Sequence, residues 1–272
     1  MTRRDTGTDD LLAEIENGIL TLTMNRPQAR NALSRAMLDA MADELAKAEQ
    51  DDTVRCVVLT GAGGAFCAGG DVKGMAAGGT EATPAIDAVI HRQRLNQRAT
   101  AGRLHVMPKP TLAVLPGAAA GAGLGLALAC DLRVMASSAI MTTAFARVGF
   151  SGDYGGSYFM TQLLGPAKTR ELYLLSERVS AAEALQLGLA NWVVPSAELS
   201  EKARSIARRL ADGPAVAYRY MKENINRAAA GGELGECMDL EATHHVHCGQ
   251  TEDHRHAVQA FVDKTEPVFR GR

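Results

Sequence analysis

Two glycine-rich stretches decide the reading: Gly61-Ala-Gly-Gly-Ala-Phe-Cys-Ala-Gly-Gly-Asp71 and Pro116-Gly-Ala-Ala-Ala-Gly-Ala-Gly-Leu-Gly-Leu126. Each follows an apolar run, Val54–Thr60 and Pro110–Leu115, and the second opens an alanine- and leucine-rich helical pattern. Small residues at a strand-to-helix turn let backbone N–H groups approach a ligand without side chains in the way. Two such turns facing each other can hold one oxygen between two N–H donors, the arrangement of an oxyanion hole.

Outward from these stretches the chain alternates strands and helices. Leu11–Glu16 and Ile19–Met24 flank Asn17-Gly18, the preferred dipeptide of a two-residue hairpin. Ser34 is placed to cap a helix whose Met37, Met41 and Leu45 share one face. Residues 84–107 read as helical, with Arg92, Arg94, Arg98 and Arg103 on a solvated face, and Leu132–Ala136 reads as a further strand. Strand, loop, helix, strand predicts an α/β fold with ligand sites at strand carboxyl ends. Residues 1–10 are polar and predicted to be disordered, 11–197 form the core, and 198–272 form a helical region that covers the core or joins subunits.

Composition removes several classes. A net charge of −2 supplies no basic field for nucleic acid or anionic membrane, and the basic stretch at 92–103 reads as a wet helix face. Five scattered cysteines without a CxxC pair read as reduced thiols, which suits a cytoplasmic protein. Neither a secretory h-region near Met1 nor an apolar run long enough to span a membrane is expected.

The motifs together resemble the crotonase superfamily, the enoyl-CoA hydratase/isomerase fold. They are Asn25-Arg-Pro…Asn31-Ala-Leu33, Phe66-Cys-Ala-Gly-Gly-Asp71, Lys109-Pro…Gly121-Ala-Gly123, Leu128-Ala-Cys-Asp131, Leu164-Gly-Pro-Ala, Gly188-Leu…Val194-Pro195 and Ala260-Phe-Val-Asp-Lys264. The resemblance implies a spiral of ββα units with a C-terminal helical region, assembled as a trimer or a dimer of trimers. It implies a coenzyme A thioester as substrate and no metal or redox cofactor. It places the oxyanion donors on the N–H groups of Ala68 and Ala122, with Gly69, Gly70, Asp71, Gly125 and Phe145 around the substrate. Arg26 and Arg30 fall in the loop that approaches the nucleotide end, and Lys222 and Lys264 in helices that contact it. Asp71 reads chiefly as a loop-shaping residue.

The chain departs from the hydratase branch at both of its glutamate positions, which align with Gly125 and Phe145. Neither titrates. The carboxylate left in that region is Asp153, in Val148-Gly-Phe-Ser-Gly-Asp-Tyr-Gly-Gly-Ser157. This turn is similar to that of isomerase branches, where one aspartate shuttles a proton between α and γ carbons. It also resembles the dehalogenase branch, where the aspartate is a nucleophile, although Arg98 stands where that branch needs histidine. Double-bond isomerisation by a single base is the leading expectation. Hydration through Asp153, dehalogenase-type chemistry and non-catalytic acyl-CoA binding remain alternatives, and Asp153 as a plain turn residue stays open. The segment from Val72 to Ala101, mobile-looking at Gly74–Thr83, is expected beside the acyl pocket. His244 and Cys248 have helical zinc spacing but lack a second ligand pair, so no metal is assigned.

Overall fold

The computed structural model describes residues 2–71 and 85–272; the Gly74–Thr83 segment lies outside them. Its central sheet has the strand order β1-β2-β3-β4-β5-β7-β10. The strands are β1 (Thr2–Arg4), β2 (Leu11–Glu16), β3 (Ile19–Met24), β4 (Cys56–Gly61), β5 (Thr111–Leu115), β7 (Leu132–Ala136) and β10 (Trp192–Val194). β1 to β3 pair antiparallel, and from β3 onward every pairing is parallel. A second sheet holds β6 (Ala119–Ala120), β8 (Ile140–Thr142) and β9 (Val179–Ser180). These short strands and β10 carry too few residues to show a period in the sequence.

Local chemistry sets the early elements. Asn17 and Gly18 both take positive φ, as a two-residue turn requires, and bring Ile15 opposite Leu20. Helix α1 (Arg35–Gln50) starts where the Ser34 hydroxyl accepts the Met37 N–H at 3.1 Å, and it buries Met37, Met41 and Leu45. β4 and β5 are almost wholly buried, which explains their continuous apolar runs in the middle of a parallel sheet.

The expected disordered N-terminus is corrected. Thr2–Arg4 extends the sheet, with Thr2 opposite Ile15 and Arg4 opposite Ala13. Arg4 is tied down by Glu44 at 3.4 Å and by Asp51, so backbone pairing and two carboxylates hold a polar segment in place.

Residues 86–106 are helical as α2 (Ile86–Gln97) and α3 (Arg103–Val106), joined by a π turn over Arg98–Gly102. α4 (Ala122–Ala129) is buried on all sides. α5 (Gly156–Leu175) bends at Gly165, and α6 (Ala181–Leu187) ends at Gly188 in a left-handed turn. After Glu198 come α7 (Leu199–Ala211), α8 (Ala215–Ala229), α9 (Leu234–Gly249) and α10 (Glu252–Asp263). α7 packs Leu199, Ala203, Ile206 and Ala207 into the main core, so the first helix of the C-terminal region is a layer of the central fold. Among the described residues, no helix is long and apolar enough to cross a membrane.

Candidate active site

The site begins with Asn31, fully buried in the loop before α1. Its side-chain oxygen accepts the Arg26 N–H at 2.9 Å, and its Nδ2 donates to the Ala62 and Ala65 carbonyls at 2.8 and 2.9 Å. One amide side chain thereby holds the first glycine loop, the physical content of the Asn31-Ala-Leu33 motif. The loop then docks on the second turn. Cys67 N–H donates to the Ala118 carbonyl at 3.1 Å, and Ala120 N–H donates back to the Cys67 carbonyl at 2.9 Å. A Cβ on Gly69 would lie 2.8 Å from the Ala120 oxygen and 3.4 Å from the Ala122 nitrogen. The two stretches do face each other at the N-terminus of α4.

The donors are not quite those the resemblance placed. Ala68 N–H already donates to the Arg30 carbonyl at 3.0 Å, so it is corrected to a loop-closing bond. Two positions further, Gly70 N–H donates to no described acceptor, and neither does that of Ala122. Ala122 is the first residue of α4, where N–H groups have no intrahelical partner and the helix dipole favours negative charge. Arg30, whose carbonyl accepts the Ala68 N–H, is itself in the left-handed region (φ 50°).

Arg26 is likewise corrected. Its guanidinium donates to the Ala32 carbonyl at 2.7 Å and to Asp71 Oδ2 at 3.1 Å, with Asp10 at 3.7 Å. Arg26 and Asp71 therefore tie the loop before α1 to the end of the first glycine loop. Arg30 remains exposed, and so does Lys264 after α10. Lys222 is buried, and its ammonium donates to the Leu104 and Lys109 carbonyls and to Asp131 at 2.9 Å. That coordination anchors α8 on the core and leaves the ammonium committed. His244 has Asn224 at 2.6 Å from Nδ1, Glu223 at 3.3 Å from Nε2 and Tyr220 stacked on its ring. Both ring nitrogens are thus engaged within the α8–α9 pair.

Across α4 from the glycine loop lies the acidic turn. Tyr154 has φ 48° and Gly155 φ 71°, so the chain reverses sharply before α5. A buried tyrosine in the left-handed region is uncommon and is tolerated because its surroundings fix it. A Cβ on Gly125 would lie 2.9 Å from the Tyr154 backbone carbonyl oxygen and 3.1 Å from that of Asp153. This turn fills the space into which a side chain at position 125 would project. Phe145 is buried, lies against Gly121 and stacks on Tyr173 at 5.9 Å, forming an aromatic wall.

The Asp153 carboxylate is half-buried. Gln93 Nε2 on α2 donates to both its oxygens at 3.0 and 2.9 Å, and Tyr154 N–H donates to Oδ1 at 2.8 Å. Burial raises its pKa above the ordinary aspartate value, and these hydrogen bonds pull the other way without cancelling the rise. Gln93 was not foreseen. It lies sixty residues from Asp153 in a polar helix, and nothing local marks it.

The site can thus offer two amide N–H groups without a described acceptor and, over the same short helix, a carboxylate with a raised pKa. An enoyl-CoA hydratase/isomerase family model matches residues 14–272. The chain belongs to the enoyl-CoA hydratase/isomerase family, within the crotonase superfamily. It is 35% identical over 262 residues to the 1,2-epoxyphenylacetyl-CoA isomerase of Escherichia coli, covering 96% of this chain and 98% of that one. The enoyl-CoA hydratase structure from Bacillus anthracis matches with a TM-score of 0.89 at 30% identity, over 97% of this chain and 100% of that one. The one from Polaromonas sp. JS666 gives 0.88 at 34%, over 95% and 99%. Membership carries an enzyme of this family and an acyl-CoA substrate.

Proposed function

We propose that this family member is an acyl-CoA isomerase that moves a double bond by one-base proton transfer. In this reading the Gly70 and Ala122 amides hold the thioester oxygen, and Asp153 removes a proton from one carbon and returns it to another. Preorganised donors in a water-poor site stabilise the enolate as it forms, with single donors contributing about 3–4 kcal/mol in measured cases. The observation that carries the reading is the fit of Gly125 against the Asp153–Tyr154 turn, 2.9 Å from the Tyr154 oxygen to the missing Cβ. It replaces a second carboxylate by the backbone that presents the first. The isomerase name of the Escherichia coli relative supports the same reaction class.

Moving a double bond leaves the oxidation level unchanged, so the proposed step calls for no redox partner. The reading also takes the protein as a cytoplasmic self-associating enzyme, a trimer or a dimer of trimers. Supporting assembly are the exposed apolar residues of α8 to α10, among them Ile225, Met238, Val246 and Phe261. Light scattering on purified protein measures that state, and a monomer rejects it.

The test is a trans-3-enoyl-CoA of medium chain length, followed by absorbance and mass. Movement into conjugation at constant mass, lost in Asp153→Asn, is expected. Addition of water, or a variant as active as wild type, overturns the one-base isomerase.

A further inference from the structure

Tyr173 is the second ring of the aromatic wall, half-buried beside Phe145, and the assignment above gives it no role. Its ring stacks on Phe145 with an interplanar angle of 23°. Its hydroxyl points toward the turn that carries Asp153, 2.7 Å from where a Cβ on Gly156 would stand and 4.0 Å from the same point on Gly152. Gly156 in turn approaches Gly125, whose Cα would lie 3.8 Å from that Cβ. The phenol therefore reaches the surface where the acidic turn meets α4, in space that glycine at 156 leaves open. Among the described residues the hydroxyl makes no hydrogen bond.

A phenol O–H that no protein acceptor occupies keeps its donor for a ligand. Burial and the Asp153 charge push the Tyr173 pKa up to about 12, so the phenol keeps its proton throughout the neutral range and can donate. The thioester oxygen does not need it, since the backbone amides lie at the far edge of the wall, where Phe145 meets Gly121. The group that fits the phenol is an acceptor further along the acyl chain, on the Asp153 side.

We propose that Tyr173 is a specificity-determining residue whose hydroxyl donates a hydrogen bond to an oxygen on the acyl group, selecting acyl-CoA substrates oxygenated beyond the thioester as epoxide, carbonyl or hydroxyl. This rests on the acyl-CoA reading of the site. It adds a requirement that the one-base mechanism does not contain, because a plain enoyl chain offers no such acceptor.

Calorimetric titration tests it without turnover, using hexanoyl-CoA against its 3-hydroxy, 3-oxo and 3,4-epoxy counterparts, with Tyr173→Phe alongside. Wild type is expected to bind at least one oxygenated ligand about 3- to 10-fold tighter than hexanoyl-CoA, the range of one neutral hydrogen bond. Tyr173→Phe keeps the ring and is expected to bind hexanoyl-CoA as wild type does while losing the preference. Equal affinities in wild type, or a preference that survives in Tyr173→Phe, overturn the inference and leave the isomerase reading standing. Failure of every ligand to bind overturns the acyl-CoA reading, and this inference with it.

Discussion

The two turns that flank α4 serve one site by opposite means. The first glycine loop is held by backbone and by one buried amide side chain, Asn31, and it presents N–H groups with no titratable atom among them. The acidic turn presents a carboxylate, and what steadies that carboxylate is a side chain from a distant helix, Gln93. Backbone donors keep their charge at every pH and are set by packing alone. A carboxylate responds to pH and to each donor placed around it. Damage to the first turn should therefore appear as lost folding or lost rate at all pH values, and damage to the second as changed proton chemistry in a folded protein.

The largest expected effect separates the two cleanly. Asp153→Asn should lower kcat by about 10²- to 10⁴-fold, the usual worth of a positioned acid–base group, in steady-state isomerase assays. It should do so without unfolding the protein. The folded pKa of Asp153 is raised, so its favourable contribution is present in acid and lost as pH rises through that pKa, where the ionised carboxylate is the costly form. At pH 7 the asparagine variant should melt at the same or a higher temperature than wild type, as calorimetry can check.

Substitution of the glycines on α4 should act through packing. A Cβ on Gly123 would stand 2.5 Å from the Cys67 carbonyl and 2.6 Å from its Cβ, so Gly123→Ala should push the two turns apart. A cost of about 1–3 kcal/mol, typical of overpacking, is expected in denaturant titration, with activity lost at every pH. Gly125→Glu restores the hydratase-branch residue, yet it should yield a destabilised protein and no gain of hydration, because the Asp153–Tyr154 backbone occupies the required space. Hydratase activity in that variant would show that the turn can withdraw.

A smaller effect sharpens the contrast. If the proposed mechanism holds, with ionised Asp153 as the base, the kcat/KM of wild type should rise with pH through a value above the ordinary aspartate range. Gln93 donates to both carboxylate oxygens and favours that ionised form. Gln93→Ala should move the acidic limb to still higher pH and reduce the plateau by about 10-fold as positioning is lost. Were the limb to stay in place while the plateau fell, Gln93 would be acting on substrate and not on Asp153. Least affected should be Arg26→Met, which removes the clasp to Asp71 and is expected to lower stability while leaving the KM for acyl-CoA within about 3-fold.

Much of this was legible in the chain before any coordinates. Hairpin, cap and buried strands each follow from a local rule: Asn17-Gly18 at positive φ, Ser34 over the first turn of α1, and apolar runs within a parallel sheet. The glycine motifs announced the facing turns, and Gly125 and Phe145 showed non-titrating residues at the two positions where the hydratase branch carries glutamates. What stayed hidden are contacts between residues far apart in sequence. The hydrogen bond that removes Ala68 depends on where the Arg30 carbonyl points, and Arg26 looked like a phosphate ligand until Asp71 lay beside it.

By itself, the sequence determined which groups were available: small residues in two turns, no glutamate at the two hydratase-branch positions, an aspartate at 153, and an α/β chain of this family. Only the tertiary structure decided which N–H groups are left without an acceptor among the described residues, which partner steadies Asp153, and where the Tyr173 hydroxyl points. The reason is geometric. Residue type sets what a group can donate or accept, whereas its partner depends on a few ångströms of separation between elements that sequence patterns do not place relative to one another.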